Sequence, residues 1–134
     1  MLRLLLAGLL VALFAESASA CSCRRDSADD AYSKARAIFV GEITEAAVVK
    51  SSDVIRAAVR VNEVVKGSPD AISFVESGIA QPASCDLHLL KGQSYLFVLF
   101  KTNFVSWCDS GPVTSRPYRD WLLEYRDLRD RPKQ

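Results

Sequence analysis

From Ile55 the chain alternates: Ile55, Ala57, Val59 and Val61 fall on one face, and Arg56, Ala58, Arg60 and Asn62 on the other. That period of two predicts a half-buried strand. It ends at Lys66-Gly67-Ser68-Pro69-Asp70, a strong turn signal. Ahead of it, Ala37-Ile38-Phe39-Val40-Gly41-Glu42-Ile43 is rich in β-formers, with a bulge or bend expected at Gly41. A polar turn is expected at 50–53, so the connection from Thr44 to Asp53 is short. A short strand is predicted over Ala71–Glu76, then an irregular segment from Ser77 to Leu90. Ser94–Phe100 is the most apolar stretch of the body and reads as a central strand. Phe104–Cys108 reads as a last strand before a break at Asp109-Ser110-Gly111-Pro112.

Two helices flank these strands. Asp26–Arg36 is polar and helix-compatible, with Asp26 or Ser27 as cap and Asp29 and Asp30 in the first turn. At the other end Tyr118, Trp121, Leu122, Tyr125 and Leu128 form an apolar stripe at helical spacing. Thr114 or Ser115 is the expected cap, Pro117 falls in the first turn, and Arg126 and Arg129 suit the C-terminal dipole. Five short strands with a helix at each end predict a small β-barrel, because closure removes exposed sheet edges. Propensity alone leaves an oligonucleotide/oligosaccharide-binding (OB) type barrel and a small sandwich both open.

Residues 1–20 have the layout of a secretory signal: Arg3, an apolar run from Leu4 to Phe14, and the small-residue site Ala18-Ser19-Ala20. The run falls short of the roughly 20 residues that span a bilayer. Cleavage makes Cys21 the first residue of a single domain, 21–134, expected outside the cytoplasm as a secreted, extracellular or periplasmic monomer. The formal net charge of +1 gives no basic surface for nucleic acid and no polybasic membrane patch. All four cysteines, 21, 23, 85 and 108, follow the cut. An even count in an exported chain predicts two disulfides. A Cys21–Cys23 ring would be strained, so both remaining pairings tie the N-terminus to Cys85 and Cys108.

The start Cys21-Ser22-Cys23 resembles that of the tissue inhibitors of metalloproteinases. So does the order that follows: 37–43 (AIFVGEI), Val64-Val65-Lys66-Gly67, Cys85, 92–98 (GQSYLFV), and Cys108-Asp109. The resemblance spans nearly the whole body and implies a netrin-like module: a five-stranded OB-type barrel with a short N-terminal helix and a C-terminal helix. It implies the pairs Cys21–Cys85 and Cys23–Cys108. It also implies a non-enzymatic inhibitor whose partner is a zinc metalloprotease. There the free α-amine and carbonyl oxygen of Cys21 chelate the target's catalytic zinc, and the Ser22 side chain enters the S1′ pocket. Ser22, Cys23, Arg24, Ala83, Ser84 and Cys85 would contact the protease. No cofactor or metal of its own is expected.

The chain departs from that family in three ways. Its four cysteines leave no third disulfide, no cysteine-rich second domain is expected, and the Thr44 to Asp53 connection is expected to be short. Other readings compete. One is an extracytoplasmic interaction module without inhibition. Another is a lipoprotein modified on the Cys21 sulfur, since Ala18-Ser19-Ala20-Cys21 resembles a lipobox. A redox role for Cys-x-Cys is disfavoured by two distant partner cysteines. His88, the sole histidine, has neither a nucleophile motif nor companion ligands and reads as a surface or partly buried residue. Asp26, Asp29 and Asp30 lack calcium-loop spacing and read as a solvated helix start. Trp107, Tyr118, Trp121 and Tyr125 read as core packing rather than a base-stacking platform.

Overall fold

A computed structural model describes residues 21–69, 72–79 and 84–132. The expected signal segment and Ala83 lie outside the described residues. The elements are α1 (Ala28–Lys34), β1 (Ala37–Val49), β2 (Val54–Lys66), β3 (Phe74–Gly78), β4 (Ser94–Leu99), β5 (Gly111–Pro112) and α2 (Tyr118–Asp130). The five strands form one antiparallel sheet in the order β3-β2-β1-β4-β5. The ladder is open: β3 and β5 are its edges, and no ladder joins them among the described residues.

Side-chain alternation explains why β4 is apolar throughout. Tyr95, Phe97 and Leu99 pack with Phe39, Ile43 and Val75 in one core. Leu96 and Val98 pack with Ile38, Val40 and the helical residues Tyr118, Leu122 and Tyr125 in a second core. β4 and the first half of β1 are thus covered on both faces, which a continuous apolar run satisfies and an alternating one does not. In β2 the alternation survives, and its polar residues stay half-buried or exposed. The first core is capped by irregular chain that supplies Leu87, Leu89 and Val105. Ser77 Oγ accepts from the Leu87 N–H at 2.7 Å and pins that cap.

The bulge expected at Gly41 is present as a register shift between Val40 and Gly41 against β2. A Cβ there would overlap Val59, so glycine permits the close approach. The expected short connection from Thr44 to Asp53 is instead mostly strand. β1 continues to Val49, the turn occupies only 50–53, and the outer part of the hairpin stands exposed.

Three element boundaries correct the expectation. The strand expected over Ala71–Glu76 begins at Phe74 and runs to Gly78, and Ala71 lies outside the described residues. Phe104–Cys108 is not a strand: it holds only isolated bridges, Phe104 to Glu76 and Ser106 to Asp86. Ser106 turns the chain there. Its carbonyl accepts from the N–H groups of Asp109 and Ser110 at 3.2 and 3.0 Å, and its hydroxyl accepts from the Cys108 N–H at 3.3 Å. Local bonds of this kind replace ladder bonds. The fifth strand is Gly111–Pro112, where a break was expected, paired with Leu96 and Tyr95. Proline is tolerated because this strand is an edge.

α1 matches its expected cap, Ser27, which accepts from the Asp30 N–H at 3.2 Å. α2 begins at Tyr118 with Pro117 at the cap position and no side-chain cap bond, so neither Thr114 nor Ser115 serves. Arg126 and Arg129, expected at a helix dipole, converge on Glu63 of β2. They hold α2 across the sheet.

Candidate functional site: the cysteine-clamped N-terminal ridge

Residues 21–27 have no regular secondary structure and lead directly into α1. Two covalent links hold this segment. Cys21 is bonded to Cys85 and Cys23 to Cys108, with Cα separations of 5.4 and 5.2 Å. Of the two pairings the sequence leaves open, this is the one the family resemblance implies. The links lie side by side. The Cys21 sulfur is 3.8 Å from both the Cys23 and Cys108 sulfurs, and all four sulfurs fall within 4.8 Å of one another. Bonded in pairs, they leave no free cysteine among the described residues to act as a thiolate ligand or nucleophile.

The clamp is buttressed from the body. Cys85 accepts at its carbonyl from the Trp107 N–H at 2.9 Å. The Trp107 ring meets Tyr118 edge-on at 5.3 Å, and the Tyr118 hydroxyl donates to the Trp107 carbonyl at 2.5 Å. Burial raises the Tyr118 phenol far above its ordinary value, with the nearby Asp109 charge adding to the shift, so it stays a neutral donor. Trp107 itself is 43% exposed, so the core role expected for it holds for only part of its ring. Tyr118 and Tyr125 are core, and Trp121 packs against it in part.

Beyond the cysteines, Arg25 lies over the Trp121 ring at 3.7 Å and reaches Glu124 of α2 at 3.5 Å. Asp26 pairs with Lys34 at 2.6 Å, and the hydrogen bond to that ammonium holds its carboxyl below the usual range. Asp109, beside Cys108, moves the other way: burial raises its carboxyl, against a weak bond from the Ser106 hydroxyl at 3.4 Å.

Cys21 and Cys85 are half-buried, whereas Ser22, Cys23, Arg24 and Ser84 are exposed. The residues expected to form one contact surface are therefore together at one end, Ala83 excepted as undescribed. The outer hairpin shares that end. Val54 pairs with Gly78, the Ile79 N–H donates to the Asp53 carbonyl at 3.3 Å, and Gly78 rests on the carboxylate of Asp86, next to Cys85. His88 is exposed, and its carbonyl accepts from the Tyr95 hydroxyl at 2.7 Å. Asp29 pairs with Arg131 at 3.3 Å, and Asp30 is tied to the Ser27 cap. Those acids are a helix start, as expected.

Sequence reasoning missed the Arg25–Trp121 contact. It joins residues nearly a hundred positions apart; the sequence marks Trp121 only as part of the helical stripe and does not mark Arg25. Among the described residues no helix is long and apolar enough to cross a membrane, and the two disulfides fit an oxidising compartment. Compared with known proteins, the chain matches no family profile and no curated sequence at a significant level.

Proposed function

We propose that this chain is a non-enzymatic inhibitor of zinc metalloproteases, acting through Cys21 once a signal segment is removed. The observation that carries the reading is the Cys21–Cys85 bond within a doubly clamped, otherwise exposed N-terminal ridge. A catalytic zinc keeps one position open for water. The α-amine and carbonyl oxygen of a terminal residue form a five-membered chelate that fills that position. A free α-amine has a reference pKa of about 7.7–8.0, which puts its neutral, coordinating form within reach near neutral pH. The Cys21 sulfur is engaged in its disulfide and acts as an anchor, not a ligand. Its anchoring removes the ordering cost that a free terminus would meet on binding.

Ser22, exposed beside the chelating residue, is the side chain directed at the S1′ pocket, and its small size gives little selectivity. Cys23, Arg24, Ser84 and Cys85 widen the contact together with Ala83. The hairpin that extends beyond the core at the same end supplies further surface.

The underlying fold of this reading is a netrin-like OB-type barrel. Its support is the parallel contact that relieves the β3 edge. The Glu76 N–H donates to the Asn103 carbonyl at 2.9 Å, and the Val105 N–H donates to the Glu76 carbonyl at 2.7 Å. Chain leaving β4 thereby returns to β3 across the mouth of the open ladder. The lipoprotein alternative is disfavoured because lipid on the Cys21 sulfur would leave Cys85 without its partner.

The test expresses the whole chain, recovers the exported protein starting at Cys21, and assays it on a panel of zinc metalloproteases beside a form with one added N-terminal Ala. Inhibition by the first form that the extra residue abolishes supports chelation by the free amine. Equal inhibition by both forms, or none by either while both are folded and disulfide-bonded, overturns it and leaves an extracytoplasmic interaction module.

A further inference from the structure

A cavity of about 550 Å³ opens between the N-terminal ridge, α1, α2 and the chain leaving β4. That volume lies in the range of small-molecule sites. Its floor is apolar and aromatic, formed by Ala31, Phe100, Trp121 and Tyr125. Four cations, Arg24, Arg25, Lys34 and Lys101, line the same space, against the acids Asp26 and Asp109.

The acids do not cancel the cations locally. Asp26 is committed to Lys34 at 2.6 Å. Asp109 remains, so Arg24, Arg25 and Lys101 face a single uncommitted acid across the cavity. Arg24 and Lys101 are exposed, and among the described residues neither has an ion pair or hydrogen bond. Arg25 stacks on Trp121, meets the Tyr125 hydroxyl and makes one long contact to Glu124, which fixes its guanidinium beside the aromatic floor. On a chain whose formal net charge is only +1, this local excess of positive charge over an aromatic floor is a specific feature.

We infer that this cavity binds a small amphipathic carboxylate, its apolar body on Phe100, Trp121 and Tyr125 and its carboxylate among Arg24, Arg25 and Lys101. Charge-assisted hydrogen bonds to arginine fix the head group, and apolar burial supplies the remaining affinity. The site is separate from the zinc-directed α-amine and stands or falls without it.

Decanoate serves as the probe, with decanol and decylamine as neutral and cationic controls of the same apolar body. Binding to the disulfide-bonded protein recovered from whole-chain expression is followed by titration calorimetry and by Trp121 indole and Tyr125 ring NMR shifts. Decanoate is expected to bind saturably at one site per chain, at least about tenfold tighter than decanol, with decylamine weakest. Arg24→Ala with Lys101→Ala, both exposed positions that leave the fold intact, is expected to weaken decanoate about tenfold and leave decanol unchanged. No saturable binding of decanoate overturns the proposal. So does equal binding of decanol and decanoate, an unchanged affinity in the double variant, or shifts centred away from Trp121 and Tyr125. None of these outcomes tests the zinc-directed α-amine, which is read separately through the added N-terminal Ala.

Discussion

The two disulfides are coupled through the chain, and the coupling sets what each contributes. Alone, Cys21–Cys85 closes a loop of 64 residues and Cys23–Cys108 one of 85. With both present, either bond closes a much smaller ring. It runs from Cys21 to Cys23, across one link, along the chain between Cys85 and Cys108, and back across the other. That ring holds about 25 residues, for which chain entropy gives about 3.5 kcal/mol. Cys21→Ser with Cys85→Ser, and Cys23→Ser with Cys108→Ser, should therefore cost nearly the same, despite their different loop lengths. Removing the surviving link then costs about 4 to 4.5 kcal/mol more, because it opens the full loop. The quadruple variant should lose about 8 kcal/mol, which unfolds many domains of this size. Urea unfolding followed by far-UV circular dichroism measures each loss. The reasoning is refuted if the two paired variants differ by more than about 2 kcal/mol, or if the quadruple variant loses no more than either pair.

Three further outcomes follow from single contacts. Gly111→Ala places a Cβ into the ring of the buried Tyr118 and should cost about 1–3 kcal/mol in urea midpoint and slope analysis, with a changed near-UV spectrum of Trp107. Glu63 accepts from Arg126 at 3.0 and 2.6 Å and from Arg129 at 3.2 Å; the Arg126 bond chiefly lowers its carboxyl, so this stabilisation is present above the ordinary glutamate range and lost as the pH falls through the lowered value. Glu63→Gln should cost about 0.5–1 kcal/mol at neutral pH, since the pair is partly solvated, and the gap to wild type should close below about pH 4. Burial raises the Asp109 carboxyl, so its ionisation opposes folding at neutral pH; Asp109→Asn should stabilise by up to about 1 kcal/mol there, an advantage that thermal melts should show fading as the pH falls into the ordinary aspartate range.

What could be read in advance was whatever a local pattern carries. The strand of Ile55 to Asn62, the bulge at Gly41, the Ser27 cap and the stripe of α2 each depend on neighbours a few positions apart. The misreadings lie where a distant group overrides that pattern. Phe104-Val105-Ser106-Trp107-Cys108 has the composition of a strand, yet Ser106 bonds to backbone a few residues ahead and folds the segment into a turn. Gly111-Pro112 looks like a break, yet the missing Cβ lets the chain pass Tyr118 and pair with Leu96. The residues after Thr44 look like a connection, yet pairing with β2 carries the ladder to Val49.

The same division runs through the candidate site. The clamped terminus was legible because Cys-x-Cys at a cleavage site constrains its own surroundings. Its pairing was not legible from the residues, and the geometry explains why. All four sulfurs lie within 4.8 Å of one another, so proximity in the fold does not by itself distinguish the two pairings that the sequence leaves open. Either pairing would pin residues 21–23 to the body, so the rigidity of the ridge follows from topology rather than from the pairing itself. The particular bond from Cys21 to Cys85 adds the position of the terminus relative to Ser84 and the hairpin end. A proposal that rests on the amine and carbonyl of Cys21 depends on that position, while the carboxylate cavity, assembled from Arg25, Phe100 and Trp121, depends only on the ridge being held down.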